Sequence, residues 1–152
     1  MVIAIILHIL PAVIWVGGMF FAYMALRPVA AGQLEPPARL ALWVGVFDRF
    51  FPWVFVSIAL ILGSGFWMVF AVFGGFAVTG LYVHVMLVLG ILMMLIFFHV
   101  FFAPFRRLKQ AVDQEDWVDG GKRLAQIRVM IGINLLLGLA TIAVASGGRY
   151  LA

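Results

Sequence analysis

No cysteine occurs anywhere in the 152 residues. Disulfides, thiolate metal sites, iron–sulfur clusters and covalently attached haem are therefore excluded together. Charge is nearly as scarce. Asp, Glu, Lys and Arg make up 11% of the chain and hydrophobic residues 66%, where an ordinary soluble domain has about 25% charged and about 45–50% apolar residues. So few polar side chains cannot cover a water-facing surface, and the mean hydropathy of +1.21 agrees. A soluble globular chain is ruled out.

The scarcity is uneven along the chain. From Phe50 to Phe105 there is no charged residue at all, and Met1 to Leu26 and Val129 to Gly148 are further uncharged runs. A bilayer-spanning helix needs about 20 apolar residues, so the long run holds two spans and a turn. The expected fold is all-α, a single integral membrane four-helix up-down bundle over residues 1–152. Its spans are near 2–26, 50–73, 81–104 and 129–148, with cytoplasmic loops at 27–49 and 105–128. Val29-Ala30-Ala31 has the small residues of a signal-peptidase site. No basic residue precedes the first apolar run, however, and that run exceeds the ~7–15 residues of a signal core. It reads as a retained first span.

What charge there is carries topology. Of ten basic residues, Arg27, Arg39 and Arg49 lie between spans one and two. Arg106, Arg107, Lys109, Lys122, Arg123 and Arg128 lie between spans three and four. Only Arg149 falls on the other side, where the link Gly74 to Gly80 is uncharged. The positive-inside rule then puts both loops in the cytoplasm and both termini outside it. The net charge of +4 is accounted for by these flanks, and no nucleic acid is implied. The expected location is a bacterial inner membrane.

Pro28, Pro36 and Pro37 are expected to interrupt any helix in the first loop, with Arg39 to Asp48 lying along the interface. The second loop mixes Asp113, Glu115, Asp116 and Asp119 with its basic residues and reads as a solvated helical hairpin broken at Gly120-Gly121. Gly18/Ala22, Ala59/Gly63 and Ala143/Gly147 have the spacing of close helix contacts.

Polar side chains inside a bilayer are costly, which makes them functional candidates. They are His8, Ser57, Ser64, His84, His99, Asn134, Thr141 and Ser146. The hydroxyls can bond their own helix backbone and read as structural. By helical rise, His8 lies roughly 9 Å into the first span and His84 about 5 Å into the third, at similar depth from the same face. His99 lies about 22 Å farther along, near the cytoplasmic end. In an up-down bundle the first and third helices are diagonal, about 11–14 Å apart. That gap suits imidazole–iron–imidazole ligation of haem b by His8 and His84 better than a single copper ion. Trp15, on the face of His8, would wall the site. His99 would transfer protons or contact a propionate. Asn134 would bond a propionate or, more simply, a neighbouring helix. The rival is Cu(I) held by His8, His84 and the thioether of Met86, although most methionines read as packing.

Three segments carry a family resemblance. Leu7-His8-Ile9-Leu10-Pro11 through Trp15-Val16-Gly17-Gly18-Met19-Phe20-Phe21 resembles CopD-type membrane proteins and is also similar to HemJ-type protoporphyrinogen oxidases. Tyr82-Val83-His84-Val85-Met86 and His99-Val100-Phe101-Phe102-Ala103-Pro104-Phe105-Arg106-Arg107-Leu108 support it. The HemJ likeness implies haem b, porphyrinogen oxidation and an important histidine at His8. The His-x-Lys of that group reads His84-Val85-Met86 here, without the lysine. The CopD likeness implies copper passage across the inner membrane, though larger members have more helices. The leading expectation is thus a b-type haem protein working in electron transfer or porphyrinogen/quinone redox chemistry. The alternative is a copper transport or resistance protein, and the third is an accessory subunit. The expected company is the lipid bilayer, a quinone or porphyrin ligand, and a second copy of the chain.

Overall fold

The computed structural model describes residues 1–150; the side chain of Arg149, the one basic group assigned to the opposite side, lies outside that description. Four long helices account for nearly all of it: α1 (Val2–Gln33), α2 (Pro36–Val72), α3 (Leu81–Asp113) and α4 (Trp117–Gly147), each long and apolar enough to cross a membrane. There is no strand among the described residues. The all-α four-helix expectation holds. Large apolar side chains such as Ile3, Phe21, Leu81, Leu95 and Leu136 point outward, an exterior that suits lipid and would be a liability in water.

The segments expected as loops are mostly helix. α1 runs on past Pro28 to Gln33, and α2 starts at Pro36, so Leu34 and Glu35 are the whole connection. Pro28 is tolerated because α1 widens to a π-helical stretch, Ala22–Leu26, just ahead of it. The widened turn leaves the Tyr23 carbonyl without a backbone donor, since Pro28 has no N–H. The Arg27 Nε–H donates to that oxygen at 3.2 Å instead. Arg39 to Asp48 is not an interfacial segment but the first turns of α2, burying Leu40, Trp43 and Phe47.

The second basic segment is a helical hairpin, as expected, but it breaks elsewhere. The turn is Gln114 to Asp116, with Glu115 at φ 55°. Asp116 caps α4 by accepting the Asp119 N–H at 3.0 Å, so Gly120-Gly121 falls inside the first turns of the helix. A side-chain cap satisfies an otherwise orphaned donor and outweighs the glycine pair. α3 has its own interruption at Ala103, where the chain turns into Pro104–Asp113.

The core is aromatic. Phe47, Phe51 and Phe55 of α2, four residues apart, meet Phe97, Phe101 and Phe105 of α3 at centroid distances of 4.9–6.1 Å, mostly edge to face. Such pairs add about 0.5–1.5 kcal/mol each beyond area burial. Of the glycines expected at close helix contacts, Gly18 is one: a methyl there would run into the Phe50 ring of α2. Nothing approaches Gly63 or Gly147, whereas a methyl on Gly138 would meet Val16 at 2.8 Å and Met93 at 3.1 Å. Gly138 is therefore a point of close approach of α4 to both α1 and α3.

A histidine- and methionine-lined cavity

The aromatic layer divides the bundle's interior, and each end holds a cavity. The first, about 400 Å³, lies between all four helices at the end that carries Met1 and the Gly74 to Gly80 link. Its lining includes His8, Trp15, Met68, Met86, Met93, Met94 and Thr141, with no charged residue among the described residues.

His8 is the polar centre of this wall. Its Nδ1 lies 3.1 Å from the Ile61 carbonyl and 3.0 Å from Ser64 Oγ. A carbonyl only accepts, so Nδ1 carries the proton and donates. Ser64 sends its own proton to the Leu60 carbonyl at 2.5 Å, which leaves its oxygen free to accept from Nδ1–H as well. Nε2 then holds the lone pair. Anchoring one ring nitrogen on a carbonyl is how a histidine is oriented as a metal ligand. Gly65 makes the room: a Cβ there would meet His8 Cε1 at 3.1 Å.

The methionines come from two helices, Met68 from α2 and Met86, Met93 and Met94 from α3. Thr141 donates to the Leu137 carbonyl at 2.8 Å and lies 3.9 Å from the Met93 sulfur. Among the described residues no group of three or more His, Asp or Glu could hold a metal ion. Any metal taken here relies on one imidazole and soft thioethers.

The other candidates sort unequally. Trp15 is buried and closes the floor of the cavity, edge-on to Phe97 at 6.2 Å. His84 is not in the wall. Its Nδ1–H donates to the Gly80 carbonyl of its own helix at 3.3 Å, and Phe76, a wall residue, stands 5.8 Å away. His99 is exposed and distant from the lining. Asn134 makes the interhelical bond, its Nδ2–H donating to the Met93 carbonyl at 3.3 Å, while its buried Oδ1 has no partner. Ser64, Thr141 and Ser146 bond their own helices as expected, yet Ser64 also serves His8, which its spacing alone did not reveal.

A bis-histidine haem does not fit this lining. Only one of the two proposed axial ligands, His8, is in the lining. What the wall offers is one imidazole and four thioethers.

Compared with known families, the chain matches the family model described as Copper resistance protein D over residues 44–147. That stretch contains most of α2 and all of α3 and α4, with the four cavity methionines, and leaves out α1 with His8. No curated protein and no solved structure matches the chain, and nothing in these comparisons supports the likeness to HemJ-type oxidases.

Proposed function

Because the chain belongs to the copper resistance protein D family, we propose that it is a multi-pass membrane protein that takes Cu(I) as cargo in the His8–methionine cavity. The observation that carries this reading is the fixed tautomer of His8. Its Nδ1–H is held by Ile61 and Ser64, leaving the Nε2 lone pair for a metal in a wall with four thioethers. Imidazole and thioether are soft enough to select Cu(I) over harder divalent ions.

The basic flanks support an orientation with both termini on the non-cytoplasmic side of a bacterial inner membrane. The cavity then faces the non-cytoplasmic half, and Cu(I) enters from there. Of the residues first paired as ligands, His8 and Met86 stay in the proposal, and His84 becomes a rim residue behind Phe76.

The test is Cu(I) retention by the detergent-purified protein against a competing colorimetric chelator, with iron, copper and the reduced absorption spectrum recorded on the same sample. His8→Ala and Met86→Leu are each expected to weaken retention about tenfold or more, worth about 1.4 kcal/mol, and His84→Ala to leave it unchanged. Stoichiometric iron with a Soret band would overturn the proposal in favour of haem. Undiminished copper retention in a His8→Ala/Met86→Leu double variant would overturn it too.

A further inference from the structure

The second cavity, also about 400 Å³, lies at the opposite end, between the end of α1 and the starts of α2 and α4. It shares no lining residue with the first. Its wall contains Arg27, Arg39 and Arg128 but no Asp or Glu. The ion pairs among the described residues, Lys109–Asp48 and Arg123–Asp119, involve none of the three. Arg27 is held in place: Nε–H on the Tyr23 carbonyl and the guanidinium 4.4 Å from the Tyr23 ring centroid. That anchoring engages Nε and leaves the terminal guanidinium nitrogens to point elsewhere. Three positive charges gathered around one cavity without a carboxylate repel one another, and an anion between them removes that cost.

The remainder of the wall is apolar and aromatic, with Trp43, Phe47 and Trp117 among it. Inorganic phosphate would leave that surface uncovered. A ligand with an anionic head and an apolar body satisfies both parts. Trp and Tyr at the end of a membrane helix mark the headgroup level, and basic pockets between helices on the cytoplasmic side are suited to anionic lipid heads.

We propose that this cleft is a binding site for an anionic phospholipid of the surrounding bilayer, its phosphate held by Arg27, Arg39 and Arg128 and its upper acyl region against Trp43, Phe47 and Trp117. The site is separate from the copper cavity, and its test does not depend on copper.

The experiment is quenching of tryptophan fluorescence in the full chain, in neutral detergent, by brominated phosphatidylglycerol or brominated phosphatidylcholine. Phosphatidylglycerol is expected to reach half-quenching at a concentration roughly tenfold lower. An Arg27→Gln/Arg39→Gln/Arg128→Gln variant should lose the preference. An Arg106→Gln/Arg107→Gln/Lys122→Gln variant, which removes as much charge from residues outside the cleft, should keep it. Trp43→Phe/Trp117→Phe should lose most of the phosphatidylglycerol-specific quenching. Equal quenching by both lipids, or equal loss of preference in the two charge variants, would overturn the site. Full displacement of the lipid by millimolar inorganic phosphate would overturn it as well, in favour of a free-anion site.

Discussion

At the scale of single residues, the chemistry turns on how one imidazole is held. Ser64 is a positioning residue: it touches the ring nitrogen that faces away from the proposed cargo. Outer partners of this kind typically cost 10–100-fold in metal affinity when removed. Because the Ile61 carbonyl remains as an acceptor, Ser64→Ala is expected at the low end, about tenfold weaker Cu(I) retention. Gly65→Ala presses on the ring itself and should weaken retention further, with Ser64→Thr restoring most of what Ser64→Ala loses. Chelator competition reads all three. Unchanged retention in both Ser64→Ala and Gly65→Ala would mean that His8 is not the ligand. The sequence singled out His8, Trp15 and Met86, and the structure brings all three to one wall. It could not show that His84 turns to its own helix's Gly80 carbonyl. Depth along a helix is readable from residue count, but the direction of a side chain depends on packing with Phe76, which lies in a separate segment.

At the scale of elements, local chemistry decides where helices stop. The Asp116 cap on Asp119 N–H starts α4 after a turn of only three residues, Gln114 to Asp116, and Gly120 then packs beneath Leu40, whose Cδ1 a methyl would meet at 2.9 Å. Asp116→Ala is expected to cost about 1 kcal/mol, seen as a lower thermal midpoint of the detergent-solubilised protein. Asp116→Asn, which keeps the acceptor, should restore the midpoint. Equal losses in the two variants would remove the cap from the account. This boundary was legible, since aspartate three residues before another acidic residue is a helix-start signal, but the Gly-Gly pair competed with it. Glycine in a membrane helix is as often a contact surface as a break, and only the partner across the interface tells which. The continuation of α1 through Pro28 was less legible. It depends on the π-helical stretch before the proline and on Arg27 replacing the missing donor, neither of which follows from the general rule against proline in a helix.

At the scale of the whole molecule, the two cavities sit at opposite ends, and between them lies a void of about 20 Å³ walled by Trp15, Phe51, Phe97, Ile131 and Asn134. Trp15 borders the His8 cavity and Ile131 the arginine cleft, so a route through the bundle is closed by a layer of packed rings rather than by distance. The separation gives the orientation a functional meaning: the soft cavity meets whichever compartment faces the Gly74 to Gly80 link. The chain lacks cysteine, which makes the orientation directly measurable without background. A cysteine placed by Val78→Cys, exposed in that link, should react with a membrane-impermeant maleimide added outside intact spheroplasts. One placed by Gln114→Cys, in the turn before α4 and also exposed, should react only after the membrane is opened. The reverse pattern would put the arginine cleft outside and the His8 cavity on the cytoplasmic half. Cu(I) would then be drawn from the cytoplasm, and the protein would act in release rather than entry, with the same ligands and the opposite direction of flow.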